Sequence, residues 1–172
     1  MKNVVVATCL LWTSLGFADA LVGAKAPLFE TKTHMGKDFA LASQKGRWTV
    51  LYFYPKAETP GCTKQACAFR DSIKKITELK ADVYGISTDD VAAQAAFHEK
   101  HHLNFTLLAD ADGKVTEMYG SKMPVLKMSK RWTFIIDPDL VVRSLNKDVD
   151  PAKDSEQVAQ KITELQKAPQ TH

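Results

Sequence analysis

The stretch from Trp48 to Leu79 constrains this chain more than any other. Residues 48–54, WTVLYFY, are almost wholly apolar, β-branched or aromatic, which suits a central strand covered on both faces. Pro55, Pro60 and Gly61 break that run. Beyond the break, Cys62, Ala66, Phe69, Ile73, Ile76 and Leu79 recur at spacings of four and three, the apolar stripe of one helix. A buried strand, a turn and an amphipathic helix need further layers to cover them.

The rest of the chain supplies those layers. Asp38–Leu41 alternates polar and apolar behind a turn at Met35-Gly36-Lys37 and predicts a short strand. Asp82–Thr88 reads as a strand, and Asp90–Leu103 as a helix capped by Asp89 or Asp90. Phe105–Leu108 is a third core strand, with Asp110-Ala111-Asp112-Gly113 as a turn. Arg131–Ile136 and Leu140–Leu145 flank Asp137-Pro138-Asp139 as a hairpin. Asp150-Pro151 opens a last helix, with Asp as N-cap and Pro at the first helical position, running to about Gln166. Strands alternating with helices predict an α/β fold, a central mixed β-sheet flanked by helices.

At 172 residues and 45% hydrophobic, the chain has enough apolar side chain for one substantial core and one domain. A net charge of +3, with no basic cluster interleaved with aromatics, gives no footing for nucleic acid. Residues 1–20 differ from the rest: Lys2, an apolar run from Val4 to Leu15, then Ala18-Asp19-Ala20. A charged start, an apolar stretch too short to span a bilayer and an A-x-A end describe a secretory signal peptide, the plainer alternative being a buried N-terminal strand. Cys9 lies inside the apolar run, which argues against a lipid anchor there. Cleavage after Ala20 leaves residues 21–172 as the domain, free of the membrane, with Cys62 and Cys67 as its cysteines. Export points to a bacterial periplasm, where thiols tend to be oxidised unless electrons are supplied.

Thiolate chemistry needs a stabilised anion, and the start of a helix supplies one through free N–H groups and the helix dipole. Cys62 follows Pro60-Gly61 directly and so falls in a first helical turn, on the apolar stripe. The stripe alone describes a buried structural cysteine equally well. The turn before it shifts the balance, because Thr59 places a hydroxyl near the same helix start and Pro60 stiffens the approach. Cys67 lies five residues on, toward a wetter flank carrying Arg70 and Lys74. Two Cα atoms at that spacing on a helix are about 8.7 Å apart, beyond the reach of about 7 Å that a disulfide allows. Either the two never pair, or the first turns of the helix unwind for them to do so.

Pro55-x-x-x-Thr59-x-x-Cys62 resembles the active-site signature of the peroxiredoxins. The longer YFYPKAETPGCTKQACAFRD is similar to their Q-type branch, the bacterioferritin-comigratory proteins, in which the second cysteine lies five residues on. The resemblance continues through LVGAKAPLFE, GISTDD, FTLLADADGKVTEMYG and RWTFIID. It implies a thioredoxin-like fold and a thiol-dependent peroxidase for hydrogen peroxide and organic hydroperoxides. Cys62 would be the peroxidatic nucleophile, oxidised to a sulfenic acid. Cys67 would be the resolving thiol, forming an intramolecular disulfide that a thioredoxin-like protein reduces. Thr59 would hydrogen-bond the peroxide, Pro55 and Pro60 would shape the pocket, and Arg131 would stabilise the thiolate and the leaving oxygen. No metal or organic cofactor is implied, and the monomer is the implied assembly. Trp132 stands where the resemblance leads one to expect a small residue, and Ser121–Lys130 is short for the branch, so packing around Arg131 is open.

Three other readings meet the same residues. A thiol–disulfide oxidoreductase acting on proteins would use the same cysteines, although it ordinarily needs the closer C-x-x-C spacing. A non-catalytic metal- or copper-handling protein lacks an obvious His or Met partner for C-x-x-x-x-C. His98-Glu99-Lys100-His101-His102 satisfies H-E-x-x-H, yet no third ligand follows and the match comes at a helix end.

Overall fold

The computed structural model describes residues 20–168. The predicted leader, save its last residue, lies outside that range, and so does Cys9. Seven strands form one mixed sheet: β1 (Glu30–Thr33), β2 (Asp38–Ala40), β3 (Trp48–Phe53), β4 (Ala81–Ser87), β5 (Thr106–Ala109), β6 (Trp132–Ile136) and β7 (Val142–Asn146). Their spatial order is β2-β1-β5-β4-β3-β6-β7, with β3, β4 and β5 parallel and the outer pairings antiparallel. The helices are α1 (Pro60–Glu78), α2 (Val91–Lys100), α3 (Lys114–Met118) and α4 (Asp154–Lys167).

Strand β3 has all six residues buried, as its unbroken apolar run requires. One face of the sheet carries α1, α2 and α4 over a core that includes Tyr52, Tyr54, Cys62, Phe69, Phe97 and Val158. The other carries α3 and the N-terminal segment over Leu51, Phe53, Tyr119 and Phe134. Parallel crossovers from β3 through α1 to β4, and from β4 through α2 to β5, leave the loop after β3 at the carboxyl end of the parallel strands. Such loops are where α/β sheets build their sites.

Several boundaries differ from expectation, each for a local reason. The sequence reading has no counterpart of β1, because four half-exposed residues carry too little alternation to stand out. The expected turn at Asp110–Gly113 is present, and the five-residue α3 follows it where no element was expected. Its N-cap, Gly113, has no side chain, and the buried Asp110 instead accepts hydrogen bonds from the N–H groups of Val115 and Thr116 at 3.0 and 2.7 Å. Helix α2 stops at Lys100 rather than Leu103, and His102 takes a left-handed φ of 49°. His98 and His102 therefore share no helical face, and the H-E-x-x-H pattern loses its geometry. Asp90 is the cap, accepting from Ala93 N–H at 2.8 Å, while Asp89 turns to the N–H of Ala57.

The last helix also starts later than predicted. Asp150 accepts from Ala152 N–H at 2.9 Å and forms a turn, and regular helix begins only at Asp154. The delay turns Asp154, with Val158 and Ile162, onto the buried face.

Gly85 in β4 is a close approach. A Cβ there would stand 2.5 Å from Tyr52 Oη and 2.8 Å from Leu107 Cδ2, so Gly85→Ala overpacks both. We expect the variant to lose about 1–3 kcal/mol of stability in urea denaturation. An unchanged midpoint would mean that the Tyr52 ring yields freely.

His34 and His98 stack with centroids 3.9 Å apart and planes 13° from parallel. Burial lowers both pKa values below their ordinary 6.5, and His98 lowers that of His34 further. Unfolded chains then bind protons that the folded chain refuses, so stability is lost as pH falls through about 6.5. His98→Gln should flatten that acid limb in thermal melts between pH 7.5 and 5. An unaltered limb would place the acid sensitivity elsewhere.

Candidate active site

Cys62 is the third residue of α1 and only 1% exposed. Thr59 is the extended N-cap, and Pro60 occupies the first helical position without an N–H to satisfy. The first intrahelical bond runs from Thr63 N–H to Thr59 O at 2.9 Å, leaving the N–H groups of the opening turn directed out of the helix start. The loop from β3 is tied down on both sides. Ser129 Oγ donates to Tyr54 O at 3.0 Å, Asp89 accepts from Ala57 N–H at 2.8 Å, and Glu58 pairs with Lys100.

Arg131 reaches this helix start from the opposite direction. Strand β6 pairs antiparallel with β3, setting Trp132 beside Phe53 and Thr133 beside Tyr52. Arg131, just ahead of β6, sends its guanidinium onto the α1 side. Its Nη2 stands 3.3 Å from Cys62 Sγ, and its Nη1 donates to Gln65 Oε1 at 2.6 Å. Gly61 makes room, because a Cβ there would sit 3.1 Å from Arg131 Nη2.

Behind Gln65 the polar contacts continue inward. Gln65 Nε2 donates to Asp154 Oδ2 at 2.7 Å, and Thr133 Oγ1 donates to the same oxygen at 2.8 Å. Gln65 and Asp154 are 0% and 1% exposed. Burial pushes the Asp154 carboxyl above the usual carboxylate range, against the hydrogen bonds of Thr133 and Gln65 and the charge of Arg131. The neighbouring Tyr52 phenol is pushed well above its ordinary value, first by burial and then by Tyr54, Cys62 and Asp154.

The predicted site residues are therefore brought together unequally. Cys62 and Arg131 meet. Thr59 stands at the helix start, but its hydroxyl donates back to Lys56 O at 2.9 Å, which leaves the oxygen's lone pairs unused. Pro55 opens the loop after β3, next to the anchored Tyr54 carbonyl. Cys67 lies in the unbroken α1, half-buried, near Arg70, and both cysteines are free thiols. Trp132 belongs to the other face of the sheet, packed on Phe134 with the Nζ atoms of Lys130 and Lys147 at 4.7 and 4.4 Å from its ring. It leaves the Cys62 pocket untouched.

Gln65, Thr133 and Asp154 were not anticipated. Gln65 lies three residues after Cys62, on the same helical face, and Asp154 heads the buried stripe it forms with Val158 and Ile162. A polar residue on an apolar stripe was the available signal. Among the described residues, no group of three or more His, Cys, Asp or Glu side chains is placed to hold a metal ion.

The AhpC/TSA family pattern matches residues 22–145. The chain belongs to the AhpC/TSA family. It is 42% identical over 130 residues to a putative peroxiredoxin bcp of Coxiella burnetii, covering 72% of this chain and 86% of that protein. It is 44% identical over 133 residues to the chloroplastic peroxiredoxin Q of Triticum aestivum, covering 76% of this chain and 61% of the plant protein. Its fold superposes on the crystal structure of peroxidoxin BcpB from Mycobacterium tuberculosis with a TM-score of 0.78 and 35% identity, over 84% of this chain and 97% of that one. The chain is thus a peroxiredoxin of the Q-type, bacterioferritin-comigratory branch, with the thioredoxin-like fold of those proteins and the class activity of a thiol peroxidase.

Because the Arg131 guanidinium approaches Cys62 over a bare Gly61, Gly61→Ala must move it by a few tenths of an ångström. We expect alkylation of Cys62 by iodoacetamide at pH 7 to slow by about three- to tenfold with little change in melting temperature. Unaltered labelling would show that the sulfur does not depend on that approach.

Proposed function

We propose that this peroxiredoxin reduces hydrogen peroxide and small organic hydroperoxides with Cys62 as nucleophile and Cys67 as resolving thiol. The observation that carries the reading is the contact of the half-buried Arg131, through Nη2, with Cys62 Sγ at 3.3 Å at a helix start. The Arg131 guanidinium and the free N–H groups at the start of α1 both face that sulfur, where the reaction begins with negative charge. The thiolate attacks the distal oxygen of ROOH. The S–O bond forms as the O–O bond breaks, Cys62 becomes a sulfenic acid and RO⁻ leaves, to be protonated as an alcohol or as water.

Arg131 faces the charge that moves from sulfur to the departing oxygen, so its stabilisation is preorganised rather than assembled during reaction. Thr59 has free lone pairs on Oγ1 to accept a hydrogen bond from the hydroperoxide O–H. Pro55 and Pro60 stiffen the loop on which that hydroxyl stands. Cys67 then attacks the sulfenic sulfur, forming the intramolecular disulfide and releasing water. A dithiol protein of the thioredoxin kind reduces the disulfide by two successive exchanges and becomes oxidised itself.

The leader read at residues 1–20 sends the enzyme to the periplasm, where it acts as a monomer free of the membrane. Its charged start, short apolar run and A-x-A end support that part of the reading. Among the described residues no helix is long and apolar enough to cross a membrane.

The test is a single turnover. Reduced protein is mixed with hydrogen peroxide, Trp fluorescence is followed in stopped flow, and Cys62 and Cys67 are assayed by peptide mass spectrometry. We expect rapid loss of both thiols, abolished in Cys62→Ser. Cys67→Ser should keep the first fast phase and stop at the sulfenic acid. If Cys67→Ser forms no sulfenic acid, or if wild-type protein reduces protein disulfides quickly while consuming peroxide no faster than free cysteine, the assigned roles are wrong.

A further inference from the structure

We propose that Asp154 is a positioning residue for Cys62, orienting Arg131 against the sulfur through the side-chain amide of Gln65. The proposal deepens the peroxidase reading and rests on it for the reaction affected. Its geometric content stands on three contacts that run without a break from sulfur to carboxylate and a fourth that fixes the carboxylate. Cys62 Sγ meets Arg131 Nη2 at 3.3 Å, Arg131 Nη1 meets Gln65 Oε1 at 2.6 Å, Gln65 Nε2 meets Asp154 Oδ2 at 2.7 Å, and Thr133 Oγ1 meets that same oxygen at 2.8 Å.

Donor and acceptor chemistry gives this chain of contacts a direction. Arginine offers only donors, so Gln65 must present its carbonyl oxygen to Arg131. That choice commits the NH2 end of the amide to the other side, where it needs an acceptor. Asp154 is the acceptor present, and Thr133 fixes which of its oxygens is used. Without the carboxylate, Arg131 alone holds the amide, and the buried NH2 end of Gln65 is left with no acceptor. A flipped amide would set NH2 against guanidinium and push Arg131 off the sulfur.

The carboxyl group is an expensive one to keep. Asp154 is 1% exposed, and its Oδ1 is buried with no hydrogen-bond partner. A buried carboxyl with one idle oxygen costs stability that an apolar residue on the same stripe would not. Val158 and Ile162, one and two turns later, show what that face of α4 otherwise holds. The helix also begins at Asp154, after a separate turn at Asp150, so the side chain is aimed inward instead of capping the helix. These features make sense together if the group is kept for its hold on Gln65.

Charge and position act on the thiolate with opposite signs, which makes the proposal separable. Removing a negative charge near Cys62 would by itself favour the thiolate. Removing the acceptor frees Gln65 and Arg131 and disfavours it. Asp154→Asn removes the charge but keeps an oxygen that can accept from Gln65 and Thr133, whereas Asp154→Ala removes both.

The experiment measures the second-order rate of the Cys62 thiol with hydrogen peroxide, and with iodoacetamide, from pH 5 to 9. The protein is the full chain with Cys67→Ser, and Cys62 is followed by peptide mass spectrometry. Asp154→Ala should slow both reactions at pH 7 by about tenfold, the size of one hydrogen bond to an ion, and move the pH–rate profile upward. Asp154→Asn should restore most of the rate. Gln65→Met, nearly the same size and without polar atoms, should slow both as Asp154→Ala does, and answers the question if the alanine variant does not fold.

A loss of melting temperature with unchanged profiles would overturn the proposal, leaving Asp154 a merely structural group. So would a faster Asp154→Ala, or an Asp154→Asn as slow as the alanine. Iodoacetamide reports the sulfur without using peroxide. If the wild type alkylated rapidly yet reacted slowly with peroxide, the peroxidase reading would fail while the positioning of Cys62 could still be scored.

Discussion

The structure depends on holding a guanidinium against a nearly fully buried sulfur. Neither group holds its place alone: a half-buried guanidinium needs acceptors for the donors that water no longer reaches, and a buried sulfur that is to react as an anion needs a cation beside it. Strand β3 resolves the difficulty by delivering both. Its carboxyl end runs through the Pro55–Thr59 loop into the start of α1, which carries Cys62. Its antiparallel neighbour β6, paired at Phe53↔Trp132 and Tyr52↔Thr133, is entered through Arg131. One central strand therefore sets the distance between the two reacting partners, and the register of one ladder sets the height at which they meet. A slip of one residue in that pairing would send Arg131 to the face now occupied by Trp132.

The remaining polar groups follow from the same constraint. Once Arg131 is turned toward the sulfur, its second nitrogen needs an acceptor, which Gln65 provides; Gln65 then needs one, which Asp154 provides. Each step moves the unsatisfied group deeper until it comes to rest on an oxygen shared with Thr133. Elsewhere in the fold polar groups are handled differently. Asp110 and Asp137 are also buried, but they spend their oxygens on backbone N–H groups of their own turns, and Asp137 pairs with Arg143 besides. Those two carboxylates organise loops. Asp154 alone among the three spends its oxygen on side chains that lead to the site.

What could be read from sequence divides along physical lines. The unit from Trp48 to Leu79 is legible because an unbroken apolar run and a long helical period stand side by side, with a Pro/Gly break between them. Cys62, Thr59 and Arg131 were legible through resemblance to a known signature, and the structure brings two of them into contact. Short elements were not. Neither the four residues of β1 nor the five of α3 form a period, and both exist because partners outside them complete them, strands β2 and β5 in one case and Asp110 in the other. Asp150-Pro151 is a sound local signal for a helix start, but it opens only a turn, and α4 begins at Asp154. The H-E-x-x-H match dissolved for a related reason, since a sequence pattern cannot show that the backbone leaves the helix between its two histidines.

The proposed chemistry asks α1 to do two incompatible things, and the distribution of its anchors shows how one helix can. Beyond Cys67 the helix is held by large apolar side chains, Phe69 fully buried and Ile76 likewise, with Ile73 packed against the same core. Before Cys67 the buried side chains are Cys62, Gln65 and Ala66, of which only Ala66 is a plain hydrophobe. Unwinding residues 60–67 thus exposes little aliphatic surface, at about 0.8 kcal/mol per buried CH2, while unwinding the following turns would expose an aromatic ring. What holds the first two turns is mainly the polar contacts of Arg131, Gln65 and Asp154, and these can be broken and remade singly where a packed ring cannot. The same contacts that make the sulfur reactive are then the ones that must open for Cys67 to reach it. Oxidation of Cys62 removes the thiolate charge that Arg131 faces, so the first chemical step itself weakens the outermost of them.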